Sequence, residues 1–202
     1  MPAIHVMIKP ASGLCNMRCR YCFYADEMEN RSQASYGIMS IETLENVIRE
    51  TLAFAEGSCT IAFQGGEPTL AGLDFYRECI RLEQKYNTKN VRIDHALQTN
   101  GYVLDEEWCR FFAKNRFLIG LSVDGIKATH DCYRKDADGQ DTYFRILEAA
   151  KKLEAAGVDF NERRRRRSAG FMRIIKSWAF RGSSISPVST RSGKSRGSRN
   201  IP

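Results

Sequence analysis

The sequence predicts an α/β fold in which strand–helix units repeat around a parallel sheet. Short β-rich runs alternate with stretches in which apolar residues recur at helical spacing. Glycine and polar clusters sit just after the ends of the strands, the edge where α/β proteins bind ligands. The regular alternation also stops abruptly near residue 161.

Ile4–Ile8 is the first β-rich run, and a cysteine-rich loop from Gly13 to Tyr24 follows it. Ser40 reads as an N-cap. Ile41, Leu44, Val47, Ile48, Leu52 and Ala55 then keep helical spacing until Gly57 closes the helix. Cys59–Phe63 reads as a strand running into Gln64, Gly65, Gly66, Glu67 and Pro68, with a helix after it over Leu73–Tyr86. Val91–Leu97 is the next strand and leads to Gln98, Thr99, Asn100 and Gly101. Asp105 caps a helix through Lys114. Phe117–Val123 is a strand that meets Asp124 and Gly125. Asp141–Ala156 is helical, and Val158–Phe160 begins a further strand. The expected architecture is four β/α units and the start of a fifth strand, either part of a barrel or a doubly wound sheet.

A chain of 202 residues, 43% hydrophobic, can bury the core of one domain or two small ones. The net charge of +7 is unevenly distributed. Residues 1–160 carry 19 Lys+Arg against 23 Asp+Glu, a net of −4; residues 161–202 carry 12 against 1, a net of +11. The body is mildly acidic, so a nucleic-acid reading would rest on the tail alone. No apolar run approaches the roughly 18–20 residues that span a bilayer. The N-terminus lacks the basic start and apolar stretch of a secretory signal. A cytoplasmic protein without membrane or nucleic-acid partners is expected. Its seven cysteines do not read as a disulfide framework.

The densest chemistry is Cys15, Cys19 and Cys22, three thiols within eight residues of one loop. Such spacing can wrap a soft metal centre. Zinc would need a fourth ligand, with His5 or Cys59 as candidates. An iron–sulfur cluster normally takes four cysteines, so three leave one iron open to other chemistry. Gly65 and Gly66 allow backbone to approach a ligand closely, though a tight turn explains them as well. Ser122 and Asp124 could bind hydroxyls, and Arg134 a carboxylate in fork geometry. Cys59, Cys79, Cys109 and Cys132 read as core thiols, and His95 and His130 as packing or surface residues.

The loop CNMRCRYC resembles the CxxxCxxC motif of radical S-adenosylmethionine (SAM) enzymes, and GGEP resembles their glycine-rich SAM motif. Six segments taken in order are similar to the anaerobic sulfatase-maturating enzymes: IKPASGLCNMRCRYCFY, SYGIMS, FQGGEPTLAGL, LQTNG, GLSVDG and HDCYRKDADGQDTY. This resemblance implies a radical SAM barrel and the cofactors [4Fe–4S] and SAM. It also implies an oxidoreductase that converts a Cys or Ser of a sulfatase polypeptide to Cα-formylglycine through a 5′-deoxyadenosyl radical, supplied by a low-potential electron donor. By position, Cys15, Cys19 and Cys22 would ligate three irons and Tyr21 would contact adenine. Gln64, Gly65, Gly66 and Glu67 would present acceptors to the SAM ammonium. Ser122 would bind ribose or the methionyl part, with Asp124 nearby. Arg134 would pair with the SAM carboxylate, and Asn100 would face the same pocket.

The resemblance covers residues 1–161, taken as a partial radical SAM core domain. Residues 162–202 read as a disordered, basic tail that is out of frame. Ordinary codons from Phe171 onward, read with the last base of each joined to the first two of the next, give YEDYKKLGFPWQQYIPCLDPL. That string resembles the family's continuation, which implies a frameshift near Asn161–Ser168 and a product lacking the later barrel. The expectation is a truncated, inactive chain with an incomplete (β/α) barrel. Two other readings stay open: a different radical SAM peptide modifier, and a zinc-binding interaction module with a nucleic-acid-binding tail.

Overall fold

The computed structural model describes residues 4–161; the tail and frame junction expected from the sequence lie outside them. Five strands form one parallel sheet: β1 (Ile4–Ile8), β3 (Ser58–Phe63), β4 (Arg92–Thr99), β5 (Phe117–Leu121) and β7 (Phe160–Asn161), paired in that order. Each new strand therefore lies beside the previous sheet strand, as short right-handed crossovers favour. The register runs Ile8 to Phe63, Phe63 to Leu97 and Leu97 to Ile119. Among the described residues β1 and β7 are the edges, so the sheet is open, in keeping with an incomplete (β/α) barrel.

The crossover helices begin where the sequence signals them. Ser40 caps α2 (Ile41–Phe54), its hydroxyl accepting from the Thr43 amide. Asp105 caps α4 (Glu106–Lys114) by accepting from the Glu107 and Trp108 amides. The helices α3 (Leu73–Tyr86) and α6 (Tyr143–Ala155) each bury one apolar face: Phe75, Tyr76, Cys79 and Leu82 on α3, and Ile146, Ala149 and Leu153 on α6. These side chains join Ile61, Phe63, Leu97, Phe117 and Ile119 of the sheet in one continuous core. Tyr76 packs edge-on against Phe63, their centroids 5.0 Å apart, and its hydroxyl donates to the Pro68 carbonyl at 2.8 Å. A core aromatic thus fixes the exit of the glycine-rich loop.

The sequence reading missed a 3-10 turn at Pro68–Ala71, two short strands and two short helices. β2 (Met17–Cys19) lies inside the expected cysteine loop and pairs antiparallel with β6 (Arg134–Asp136). The helices α1 (Phe23–Asn30) and α5 (Lys127–Tyr133) flank that ribbon. Three-residue strands have no period to detect, and their pairing across more than 110 residues has no local signal. α1 buries no residue, so it carries no apolar face to read. Cys59, Cys79 and Cys109 are buried as expected, but Cys132 is exposed on α5. His95 and His130 are both buried and hydrogen-bonded. Among the described residues no helix is long and apolar enough to cross a membrane.

Candidate functional site

The predicted site residues gather beyond the C-terminal ends of β1, β3, β4 and β5. The cysteine loop leaves β1 and is tied down from two sides. The Gln64 amide donates to the Ile8 carbonyl and the Glu67 amide to the Leu14 carbonyl, the latter at 2.7 Å. Gly66 has φ +52°, and a Cβ there would lie 2.1 Å from the Leu14 carbonyl oxygen. The glycine is required because two backbones touch.

Asn100, 7% exposed, organises the side nearer Cys15. Its Oδ1 accepts from the Tyr102 amide at 2.8 Å. Its Nδ2 donates to Asn16 Oδ1 at 2.8 Å and to Cys15 Sγ at 3.7 Å. Cys15 Sγ also accepts from the Met17 amide at 3.4 Å. Glu67 lies behind this group, 1% exposed. Its Oε1 accepts from the Thr69 amide and from the Thr69 and Thr99 hydroxyls; its Oε2 accepts from the Asn100 amide at 2.7 Å. The structure therefore differs from the sequence expectation for Glu67. Its carboxylate faces inward onto the chain's own donors, so the side chain braces the site. Burial pushes its carboxyl above the ordinary value, against the pull of those hydrogen bonds.

A second group surrounds Cys19. Arg134 lays its guanidinium on Asp124, with Nε to Oδ2 at 2.8 Å and a longer second contact at 3.4 Å. Its remaining terminal nitrogen approaches Cys19 Sγ at 3.8 Å. The Tyr21 hydroxyl donates to Asp124, and the Tyr21 ring lies under the guanidinium at 5.3 Å. Burial opposes ionisation of Asp124, but bonds from Arg134 and Tyr21 outweigh it and hold the carboxyl below its ordinary value. Ser122 accepts from the Gln98 amide group at 2.9 Å.

The structure also reveals residues that the sequence reading did not select. Asn16, Thr69 and Thr99 complete the Glu67–Asn100 network, and His130 supports the Asp124 turn by accepting from its backbone amide at 3.3 Å. Polar residues at strand ends were a usable signal for Thr99; nothing local marked His130.

Burial pushes the Cys15 thiol up to about 11 and raises that of Cys19, where Arg134 pulls the other way. Half-buried thiols of this kind give up their protons when a metal's charge replaces them. Among the described residues no three His, Cys, Asp or Glu side chains converge on one ion. The candidate zinc ligands His5 and Cys59 lie near the starts of β1 and β3, away from the cysteine loop. The thiols, their N–H donors and the glycine cradle together fit an iron–sulfur cluster with a small ligand beside it.

Residues 10–162 match the radical SAM superfamily. A cysteine-type anaerobic sulfatase-maturating enzyme of Clostridium perfringens is 48% identical over 161 residues, covering 80% of this chain and 44% of that protein. A serine-type enzyme of Bacteroides thetaiotaomicron is 34% identical over 159 residues, covering 78% of this chain and 38% of that protein. The solved structure of native anSMEcpe with bound AdoMet and Cp18Cys peptide superposes with a TM-score of 0.74. It is 46% identical, and the match covers 79% of this chain and 42% of that one. The chain spans less than half the length of these relatives.

Proposed function

This chain belongs to the radical SAM superfamily, and we propose that it is part of an anaerobic sulfatase-maturating enzyme, an oxidoreductase that converts a residue of a sulfatase polypeptide to Cα-formylglycine. The observation that carries this reading is the placement of Cys15, Cys19 and Cys22 at the sheet's C-terminal edge, where Asn100 and Arg134 aim N–H groups at two of the sulfurs. The substrate residue is a cysteine: cysteine-type relatives are 46–48% identical to this chain, and serine-type relatives 34–36%.

Cys15, Cys19 and Cys22 hold a [4Fe–4S] cluster, and SAM binds beside it. When bound, the pair supplies a carbon-centred radical able to take a hydrogen atom from Cβ of the substrate residue. The chain's own residues bind and orient. Gln64, Gly65 and Gly66 offer backbone acceptors to the SAM ammonium, on a loop that Gly66 lets descend onto Leu14. Arg134, whose guanidinium is anchored on Asp124, would give its remaining N–H groups to the SAM carboxylate. The Tyr21 ring, 52% exposed, packs on adenine, and Ser122 binds the ribose or methionyl part. Asn100 lines the same pocket from the β4 end.

The reducing electron comes from a low-potential donor, and the setting is cytoplasmic, without membrane or nucleic-acid partners. Residues 1–161 make up a partial core domain of that enzyme, and residues 162–202 read out of frame. The test is anaerobic reconstitution with iron and sulfide. Cys15→Ala, Cys19→Ala and Cys22→Ala each lose the cluster, while Cys59→Ala and Cys79→Ala keep it. Full iron content in any of the first three variants overturns the assignment, and a colourless protein with one bound zinc favours the interaction-module reading.

A further inference from the structure

Cys15 and Cys19 lie in one loop, yet their sulfurs meet different donors. The Arg134 nitrogen at Cys19 belongs to a side chain already committed to Asp124. The donor at Cys15 is a neutral amide whose orientation is fixed from every side. Asn100 Oδ1 accepts from the Tyr102 amide, so the Nδ2 end must be the one that faces Asn16 and Cys15. The backbone of Asn100 is in turn tied to the buried Glu67 carboxylate, which is anchored by Thr69 and Thr99. The amide is thus delivered to Cys15 Sγ by a rigid chain of contacts reaching into the core, and the Met17 amide adds a second donor to the same sulfur.

We propose that Asn100 is a positioning residue that tunes the reduction potential of the cluster through its N–H···S contact to Cys15. The inference rests on the reading that Cys15, Cys19 and Cys22 hold a [4Fe–4S] cluster. A donor facing a thiolate ligand stabilises negative charge on sulfur. The reduced cluster carries one more electron than the oxidised one, so the donor favours the reduced state and raises the potential. The donor therefore eases reduction of the cluster from the Cys15 side, as the Arg134 nitrogen does from the Cys19 side. Asn100 then acts on the electron-accepting step without touching the substrate.

The experiment is a potentiometric titration, followed by electron paramagnetic resonance, of the reconstituted 202-residue chain beside Asn100→Ser and Asn100→Asp. Serine is too short to reach Cys15 but keeps an oxygen for the Tyr102 amide. Aspartate keeps the shape and that acceptor but presents an oxygen to the sulfur. The expected result is full iron content in all three proteins and a more negative midpoint in both variants. The shift for serine is about tenfold in the reduction equilibrium, about 59 mV for one electron, and the shift for aspartate is larger. Unchanged midpoints with intact clusters overturn the tuning role and leave the cluster assignment standing. Loss of iron from both variants, with wild-type circular dichroism, makes Asn100 a residue of assembly and also overturns it. A wild-type chain that binds no cluster overturns the underlying reading instead.

Discussion

Replacing Gly66 by alanine tests the contact on which the site is built. Two costs arise at that position. The residue has φ +52°, a left-handed conformation that costs an L side chain about 1–2 kcal/mol. The new methyl would also lie 2.1 Å from the Leu14 carbonyl oxygen and 2.7 Å from the Gly13 carbonyl carbon. Both are backbone atoms, so no flexible side chain can yield, and forced overpacking adds about 1–3 kcal/mol. The sum is about 2–5 kcal/mol, a large part of a domain's typical 5–15 kcal/mol. Gly57 is the internal control: φ is +74°, but nothing lies within 4 Å of the place a Cβ would take there. Gly57→Ala therefore carries only the conformational cost, and the gain from a stiffer unfolded chain is common to both. Urea unfolding followed by circular dichroism, with iron content measured on the same samples, separates the two. Gly66→Ala should lose at least about 1 kcal/mol more than Gly57→Ala and retain less iron. Equal losses in the two variants would refute the claim that backbone contact between the loops makes glycine obligatory.

Two further outcomes follow from the Arg134 and His130 contacts. Arg134→Ala should weaken SAM binding in calorimetry, since a charge-assisted contact to a carboxylate contributes about 1.5–3 kcal/mol; unchanged affinity would mean that Arg134 serves only Asp124. His130 is held below its ordinary value, first by burial and then by the nearby Arg134 charge. The unfolded chain therefore takes up a proton more readily than the folded one. Stability should fall as pH drops from about 6.5, the unfolded value, toward the lower folded value. His130→Gln should flatten that part of the stability profile, and an unaltered pH dependence would show that other groups set it.

The main helices and strands were legible because each carries a local signal. Ser40 and Asp105 are caps whose side chains close onto amides two or three residues ahead, and the α2 and α3 stripes repeat within one element. The cysteine loop was legible by spacing alone. The β2–β6 ribbon and the role of Glu67 were not. Glu67 stands in a run that reads as a ligand-facing loop, and only the fold shows its carboxylate turned inward onto Thr69, Thr99 and Asn100. His130 offered no pattern, because its partners are a backbone amide six residues back and a threonine hydroxyl twelve residues ahead.

Long-range contact also explains why the chemistry depends on the sheet as a whole. Asn16 meets Asn100 across 84 residues, Tyr21 meets Asp124 across 103, and Cys19 meets Arg134 across 115. None of these pairs could form in an isolated loop, because closing such long segments is entropically costly without packing to hold the ends. The strand register supplies that packing. Phe63 pairs with Leu97 and Leu97 with Ile119, so β3, β4 and β5 end together and bring Glu67, Asn100 and Ser122 to one edge. A one-residue slip of β4 would turn Leu97 out of the core and carry Asn100 away from Glu67 in the same movement. The buried apolar residues and the polar site therefore select the same register. Glu67 joins them: its neighbour Pro68 accepts from the core residue Tyr76, while its own carboxylate holds the amide of the residue that faces Cys15.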